Sequence, residues 1–504
     1  MSAPGTIVDL IDFGDDDHAA ILAPGREPLS FATLRALTRE TVASLNRLAI
    51  GRGDRVAIVL PNGPEMAAAF IAVAASAVAA PLNPAYRAEE FEFYLSDLRA
   101  RALIVEAEAT GPTVEVARKL GVRIVELRPR VDAGAGAFDL VGASGGDAAR
   151  TGAAAADDVA LILHTSGTTS RPKIVPLSQR NVCVSAGNVA DTLALSASDR
   201  GLNVMPLFHI HGLIAGLMAP LSRGGAVFCT PGFNALKFFA WTREARPTWY
   251  TAVPTMHQAI LTRVGHNKDV IAANPLRFIR SSSSSMPPQV IAELEAAFGA
   301  PLIEAYGMTE AAHQMASNPL VGLRKPGSVG PAAGPEIEVM NERGDLLAPG
   351  ETGEIVIRGP NVAAGYENNS KANAEAFCGG WFRTGDQGVI DADGYVRLTG
   401  RLKEIINRGG EKISPREIDE VLMDHPAVRQ VVTFGLPHDK LGEDVAAAVV
   451  LREGASATEK ALREFAAERL APFKVPRKIV FLDEIPKGAT GKLQRIGLAD
   501  WFGL

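Results

Sequence analysis

A glycine loop rich in hydroxyl side chains, residues 165–173, has the chemistry of a polyphosphate-binding site. Gly167 lets backbone N–H groups approach an anion closely, and Lys173 adds positive charge. The loop hydroxyls that can donate hydrogen bonds belong to Thr165, Ser166, Thr168 and Thr169. The loop is not a Walker motif, because Pro172 precedes the lysine where that motif has glycine. We therefore expect it to wrap nucleotide phosphates; the alternative is an ordinary polar turn.

The loop follows Val159–His164, an apolar run typical of a buried strand, and ligands of open α/β sheets bind where such strands end. Short apolar runs and helical stretches alternate through the first four hundred residues, which predicts a layered α/β body with largely parallel strands. The predicted strands are 55–60, 102–106 and 122–126, and the predicted helices are 64–79 and 289–298. The Gly/Ala-rich stretch 128–158 is predicted to be a surface loop.

A separate small domain is predicted after residue 400. Ser414 and Glu417 have the spacing of a helix capping box, which predicts a helix to about residue 423. Predicted strands at 428–434, 444–451 and 478–482, and a helix at 459–470, complete an α+β unit of domain size. We therefore expect two domains, a body over 1–400 and a small mobile C-terminal α+β domain over 401–504.

The composition is that of an ordinary globular enzyme, with 504 residues, 47% hydrophobic and 21% charged. The net charge of -6, without a basic tract, argues against nucleic acid as a partner. The alanine-rich run 67–82 is shorter than the roughly 20 residues that span a bilayer, so we interpret it as a buried helix and expect no membrane partner. Three cysteines and an acidic N-terminus predict a cytoplasmic location. The oligomeric state is not indicated.

Five motifs occur in a fixed order along nearly the whole chain. After the phosphate loop come Glu304-Ala-Tyr-Gly-Met-Thr-Glu310, Trp381-Phe-Arg-Thr-Gly-Asp386, Gly400-Arg-Leu-Lys-Glu404 and Pro486-Lys-Gly-Ala-Thr-Gly-Lys492. Together they resemble the adenylate-forming superfamily of acyl-CoA synthetases, luciferases and peptide-synthetase adenylation domains. The resemblance implies an AMP-forming ligase that uses ATP, Mg²⁺ and coenzyme A.

The resemblance also implies roles for individual residues. Thr309 would contact the nucleotide phosphate, Glu310 and Thr168 would hold Mg²⁺, and Tyr306 would stack on adenine. Asp386 would accept the two ribose hydroxyls, a role that suits a carboxylate with two acceptor oxygens. Arg401 would lie at the ribose and phosphates. The other implied nucleotide contacts are Ser283, Ser284, Glu304, Ala305 and Gly307.

The C-terminal motifs imply a domain that acts in both half-reactions. Lys492 would bridge the acid and the phosphate during adenylation, and Lys403 would lie at the hinge about which the small domain turns. Arg408, Gly409 and Gly410 would border the pantetheine tunnel, where glycine leaves room for the thiol. A glycine turn between two strands is the alternative for these last residues.

The residues expected around the acid are polar. They include Arg280-Ser-Ser-Ser-Ser-Ser285, Pro206-Leu-Phe-His-Ile-His-Gly212 and the segment after Glu310, and a second anionic group on a small acid would need such donors. Phe278-Ile-Arg-Ser-Ser-Ser-Ser-Ser-Met286 and residues 306–320 resemble the oxalyl-CoA synthetase subgroup. Of the His-x-His pair, His209 is expected to gate the acyl site, not to bind a metal.

We expect His313 to contact the distal carboxylate of oxalate, with Ser283 as a further donor. If the segment after Thr309 is helical, His313 lies one turn from Glu310 on the same side. A structural histidine is the alternative.

Malonate or methylmalonate is the rival acid. The rival functions are a non-catalytic nucleotide- or acyl-binding protein of the same fold and an adenylation domain that serves a carrier protein.

Overall fold

The computed structural model describes residues 4–143, 145–165, 172–486 and 495–504. Two large sheets, a smaller antiparallel sheet and a C-terminal sheet organise these residues. The α/β body and the small C-terminal α+β unit that the sequence predicts are both present, which confirms the fold class. The predicted boundary at residue 400 falls within strand Val396–Arg401 and stays a prediction.

The first large sheet has seven strands and is parallel except at its two edges. In spatial order its strands are Phe138–Gly142, Arg123–Pro129, Ala102–Glu106, Arg55–Val59, Val78–Pro81, Val159–His164 and Ile174–Ser178. Central strands such as Val78–Pro81 are buried along their whole length, as expected when helices cover both faces. The predicted strands 55–60, 102–106 and 122–126 are confirmed within this sheet.

The second large sheet has eight strands and is also parallel inside and antiparallel at its edges. Its order is His313–Ser317, Leu302–Met308, Phe278–Ser282, Trp249–Ala252, Arg200–Asn203, Ala226–Cys229, Ala19–Leu22 and Leu29–Ser30. Three neighbouring strands of this sheet carry the candidate acyl-site residues, because Leu302–Met308 pairs with Phe278–Ser282 on one side and His313–Ser317 on the other.

The third sheet is wholly antiparallel, which the prediction of largely parallel strands did not foresee. It contains Glu336–Met340, Thr352–Arg358, Trp381–Ile390, Phe377–Cys378 and Val396–Arg401. Strands Trp381–Ile390 and Val396–Arg401 pair so that Asp386 lies opposite Arg401. This register brings together two motifs that the sequence separates.

The C-terminal sheet contains Glu411–Ile413, Ile406–Arg408, Gly442–Leu451, Val428–His438 and Lys478–Phe481. The predicted helix at residues 415–423 is confirmed as Pro415–Met423, and the Ser414 hydroxyl accepts the Glu417 N–H at 3.4 Å. The Glu417 carboxylate pairs with Lys474 at 2.7 Å, so the reciprocal half of the predicted capping box is replaced by an ion pair.

Helices cover these sheets. The α-helices are Ile7–Ile11, Phe31–Arg47, Pro64–Ala74, Ala88–Asp97, Pro112–Lys119, Gln179–Thr192, Ala219–Leu221, Phe238–Ala245, Pro254–Leu261, Lys268–Ala273, Pro288–Phe298, Ser370–Ala376, Pro415–Met423, Glu459–Ala467 and Leu498–Phe502. The 3₁₀ turns are Val131–Ala133, Val264–His266, Thr309–Ala311 and Pro472–Lys474, and His211–Met218 is a π-helix. The predicted helix 289–298 is confirmed as Pro288–Phe298.

Two local predictions are wrong. The helix predicted over 64–79 ends at Ala74, and Val78–Pro81 turns back as a strand of the parallel sheet. The hydrophobic pattern did not reveal the change from helix to strand, because nearly every residue of both elements is buried and apolar. The loop predicted over 128–158 contains strand Phe138–Gly142, which pairs with Arg123–Pro129. No helix in the described part of the chain is long and apolar enough to cross a membrane.

Polar contacts join the body to the C-terminal residues. The Gln289 side chain donates to the Met423 carbonyl at 2.7 Å, and the Gln430 side chain donates to Gln258 at 2.9 Å. Further along the chain, the Arg416 guanidinium donates to the Leu398 carbonyl at 2.9 Å. On the body side, Gln289 and Gln258 lie on helices Pro288–Phe298 and Pro254–Leu261, whereas Leu398 lies on strand Val396–Arg401.

Candidate active site

The ends of the predicted phosphate loop are tied together. The Thr165 N–H donates to the Lys173 carbonyl at 3.0 Å, and the Lys173 N–H donates to the Thr165 hydroxyl at 3.4 Å. The loop connects two antiparallel strands and no helix begins at the lysine, which separates it from a Walker loop. Ser166, Gly167, Thr168 and Thr169 lie outside the described residues, so their roles stay predictions.

Glu310 is a buried carboxylate at the end of strand Leu302–Met308. It lies in the turn Thr309–Ala311, is 6% exposed, and accepts the Tyr366 hydroxyl at 2.7 Å. Burial raises the pKa of Glu310, while the Tyr366 hydrogen bond and the charges of Arg401 and Lys173 lower it. Thr309 thus lies next to a carboxylate that faces two cationic side chains.

This donor set fits magnesium. Magnesium in nucleotide sites is commonly held by one or two carboxylates together with substrate phosphates and water. Among the residues that the structure describes, no group of three or more His, Cys, Asp or Glu side chains forms a closed metal cage. Glu310 would supply the carboxylate, and the bound metal would neutralise phosphate charge. The other expected ligand, Thr168, is outside the described residues.

Asp386 lies at the centre of a polar cluster formed by two sheets. One carboxylate oxygen accepts the Tyr306 hydroxyl at 2.5 Å, and the other accepts Arg401 Nε–H at 3.1 Å. Asp386 is the largest cause of the raised pKa of Arg401. The sequence predicts Tyr306, Asp386 and Arg401 at one nucleotide site, and the structure brings them together.

The strand that carries Glu304, Ala305 and Tyr306 is closely packed. A side chain on Gly307 would place its Cβ 1.8 Å from the His313 carbonyl oxygen, so only glycine permits this strand pairing. Glu304 is 5% exposed, and burial raises its pKa to about 8, with Arg416 of the C-terminal region opposing that rise. The motif Glu304–Glu310 therefore borders the C-terminal residues.

His313, which is expected to contact the acid, is buried but does not lie on a helix. The turn ends at Ala311, and His313 begins an antiparallel strand, with φ values of 47° at Ala312 and 104° at His313. A positive φ is uncommon for residues other than glycine and costs on the order of 1–3 kcal/mol. The expected one-turn relation to Glu310 is wrong, because the chain reverses between the two residues to add a strand to the sheet.

A fully buried arginine contacts both His211 and His313. Arg280 is 0% exposed and lies beside His313 Nε2 at 3.0 Å, His211 Nε2 at 3.3 Å and Gln314 Oε1 at 3.2 Å. The two imidazole rings stack with centroids 5.0 Å apart. Because a guanidinium only donates, His313 Nε2 is an acceptor of the Arg280 hydrogen bond.

Arg280 has no carboxylate partner among the described residues, since its contacts are two imidazoles and an amide. Its Nε–H and the Ser281 hydroxyl are buried without a hydrogen-bond partner there. Burial lowers the pKa of Arg280 to about 9, and the side chain remains a cation at neutral pH. A buried cation and nearby orphan donors are the features expected where an anionic ligand binds.

The serine run reaches this cluster through Ser283. Ser283 adopts a φ of 75°, and its hydroxyl lies 3.1 Å from His211 Nδ1, while His211 Nε2 lies 2.6 Å from the Thr251 hydroxyl. Ser284 is exposed. The His209 ring accepts the His211 N–H at 3.3 Å, next to the π-helix His211–Met218, a type of distortion that is frequent at functional sites.

The C-terminal motif residues lie in turns. Lys403 follows strand Val396–Arg401. Arg408 Nε–H donates to Asp444 at 2.7 Å, and Gly409 and Gly410, with φ of 61° and 99°, form the turn between two strands. Lys492 lies outside the described residues. The hinge, tunnel and catalytic roles therefore stay predictions.

The sequence analysis included Arg280 and Gln314 among the polar residues near the acid, but it gave the decisive role to His313. It did not identify Thr251 or Tyr366 as site residues. Tyr366 is separated from Glu310 by 56 positions, so local patterns carry no signal of their hydrogen bond. For Arg280, a signal was present. It follows Phe278 and Ile279, two apolar residues typical of a buried segment, and a buried arginine needs a hydrogen-bonding or anionic partner.

Comparisons with known proteins identify the family of this chain. Residues 14–367 match the AMP-binding enzyme family, and residues 417–492 match the AMP-binding enzyme C-terminal domain. The chain is 47% identical to an oxalate–CoA ligase of Arabidopsis thaliana, with 96% of each chain covered. It is 42% identical to an oxalate–CoA ligase of Saccharomyces cerevisiae, covering 90% of this chain and 88% of that one.

Among solved structures, ATP-bound MatB from Rhodopseudomonas palustris superposes with a TM-score of 0.89 at 30% identity, with 99% of each chain covered. The family matches include the phosphate loop, the motif Glu304–Glu310 and the motif that ends at Lys492. The chain therefore belongs to the AMP-binding enzyme family, and the activity class expected from its motifs, an AMP-forming acid:CoA ligase, is confirmed.

Proposed function

We propose that this ligase converts oxalate, ATP and coenzyme A to oxalyl-CoA, AMP and pyrophosphate. Two relatives that are more than 40% identical over most of their length are oxalate–CoA ligases. The observation that carries the proposal is the buried Arg280 guanidinium, which has no carboxylate partner in the described part of the chain. A small acid with a second carboxylate would supply the missing negative charge.

The position of Arg280 favours a very short diacid. Its strand, Phe278–Ser282, pairs with Leu302–Met308, so that Ser281 lies opposite Glu304 and Ser282 opposite Ala305. Oxalate has no carbon between its carboxylates, so its distal group must lie close to the carboxylate that attacks ATP. His313, held 3.0 Å from Arg280, adds an imidazole next to that charge. An apolar wall would leave the distal carboxylate desolvated and unpaired.

The remaining residues position the nucleotide. Asp386 offers acceptor oxygens to the ribose, Lys173 and Arg401 face the phosphates, and Glu310 is placed to hold the metal, which neutralises phosphate charge when bound. Attack of oxalate on the α-phosphate forms oxalyl-adenylate and pyrophosphate. Lys492 would steady the transferring group in this step, and positioning with charge stabilisation provides most of the rate.

In the second half-reaction the thiolate of coenzyme A attacks the oxalyl carbonyl and AMP leaves. We propose that the domain after residue 400 turns about Lys403 between the half-reactions, so that Arg408, Gly409 and Gly410 border the thiol. The same proposal includes a cytoplasmic location, which is supported by the free state of Cys183, Cys229 and Cys378.

A pyrophosphate-release panel tests the acid. Oxalate, malonate, methylmalonate, acetate, benzoate and a medium-chain fatty acid are each supplied with ATP and Mg²⁺, with and without coenzyme A. We expect the highest kcat/KM with oxalate and a coenzyme A-dependent thioester detected by mass spectrometry. A preference for malonate or for any monocarboxylate would overturn the proposal.

A further inference from the structure

One tyrosine contacts both a cation and an anion of the nucleotide site. Tyr366 is 8% exposed, and its hydroxyl donates to Glu310 Oε1 at 2.7 Å. The Lys173 ammonium lies over the face of the same ring, 4.3 Å from its centroid. A cation at that distance from an aromatic face is attracted by the ring quadrupole. Tyr366 therefore fixes a charged group at its edge and another at its face.

The chain holds Tyr366 tightly. The Tyr366 N–H donates to the Asn373 side chain at 2.7 Å, and that side chain donates back to the Tyr366 carbonyl at 2.8 Å. The next residue, Glu367, accepts two hydrogen bonds from Arg55 at 2.7 and 2.8 Å. Gly365 has a φ of 154°, which sets the direction of the chain at this point. The ring is thus anchored on both sides along the backbone.

Lys173 and Glu310 attract each other but are not joined as an ion pair among the described residues. The Lys173 charge acts on the Glu310 carboxylate, which accepts a hydrogen bond from the Tyr366 hydroxyl. A direct ion pair would turn the ammonium away from the phosphates and use the lone pairs that a metal needs. Tyr366 contacts the lysine through its ring face and the carboxylate through its hydroxyl, so each charged group has the same aromatic neighbour.

We propose that Tyr366 is a positioning residue that keeps Lys173 and Glu310 apart, so that the lysine faces the phosphates of ATP and the glutamate faces the magnesium ion. This inference rests on the proposed function only in its use of ATP and magnesium. It does not depend on which acid is the substrate.

Two substitutions separate the edge and the face of the ring. Tyr366→Phe removes the hydroxyl and keeps the face, whereas Tyr366→Leu removes both. Binding of ATP to the full-length protein is measured by titration calorimetry, with excess Mg²⁺ and separately with EDTA, in the absence of acid. Tyr395→Phe is a matched control, because Lys325 lies 4.3 Å from the Tyr395 ring centroid and the Tyr395 hydroxyl donates to the Leu323 carbonyl.

For Tyr366→Phe we expect the Kd of Mg·ATP to rise about tenfold, as for loss of a hydrogen bond to a charged group, while the Kd in EDTA is unchanged. For Tyr366→Leu we expect the Kd in EDTA to rise as well, by about threefold, from loss of the cation–π contact. Tyr395→Phe should bind both forms as the wild type does.

The proposal is overturned if Tyr366→Phe binds Mg·ATP as the wild type does, or if it weakens binding equally with and without Mg²⁺. Should Tyr366→Leu fail to fold by circular dichroism, the phenylalanine variant alone decides. Failure of this inference and of the proposed function are distinguishable. If the wild-type protein binds no ATP, both are refuted. If the wild type makes oxalyl-adenylate but Tyr366→Phe shows no magnesium-specific change in the Kd of ATP, only the role of Tyr366 is refuted.

Discussion

Replacing Arg280 by methionine removes the buried charge and keeps a flexible side chain of similar length. If Arg280 pairs with the distal carboxylate of oxalate, the variant leaves that carboxylate buried without its cation. Truncating one partner of a buried, hydrogen-bonded charge pair costs on the order of 2–5 kcal/mol. At 1.36 kcal/mol for each factor of ten, kcat/KM for oxalate should fall by about 30-fold to 5000-fold.

The stability of the free protein should respond differently. Substituting apolar groups for a buried charge is often neutral or stabilising. Loss of the guanidinium also removes the hydrogen bonds that it donates to His313 and Gln314, at a cost of about 1–3 kcal/mol for each acceptor that becomes unsatisfied. These effects oppose each other, so we expect Tm to change little while oxalate activation collapses. A residue whose role is only structural would show the reverse.

Pyrophosphate release is measured with oxalate and with the best monocarboxylate of the wild-type enzyme, and Tm is measured on the same samples. Arg243→Met, at a side chain 67% exposed and paired with Asp269 at 3.4 Å, is the control for losing an arginine elsewhere. An unchanged oxalate constant in Arg280→Met, or an equal loss for both acids, would refute the reasoning. Arg280→Lys should recover only part of the activity, because an ammonium lacks the planar fork of the guanidinium.

Three further outcomes are expected. Lys492→Ala should nearly abolish pyrophosphate release yet spare attack of coenzyme A on a supplied acyl-adenylate, and equal loss in both steps would contradict its assignment. Lys403→Pro fixes φ and removes an N–H at the proposed hinge, so it should keep adenylate formation and lose thioester formation; full turnover would show that the hinge lies elsewhere. The Glu304 carboxyl, with a pKa near 8 in the folded state against 4.5 for the free group, binds a proton that the unfolded chain releases, so stability falls as pH rises from 5 to 8. Glu304→Gln cannot titrate, and its Tm should fall less than that of the wild type over this range in calorimetry; parallel curves would count against a raised pKa for Glu304.

The nucleotide chemistry was predictable from the sequence. Glycine, hydroxyl and cationic residues of the phosphate loop are neighbours along the chain, and so are Thr309 and Glu310. Local order of this kind is visible without a fold. The order of the five motifs over the whole chain then indicated the family, and strand patterns such as Val159–His164 indicated the layered α/β body, because burial on both faces leaves a continuous apolar run.

Only the tertiary structure decided how the acyl site is built. The helix expected after Thr309 is a strand because pairing with Leu302–Met308 outweighs local preference. The partners of Arg280 are 69 and 33 positions away, at His211 and His313. Tyr366 reaches Glu310 across 56 positions. Burial and the lack of a counter-charge arise when distant strands pack together, so no local pattern of residues could reveal them.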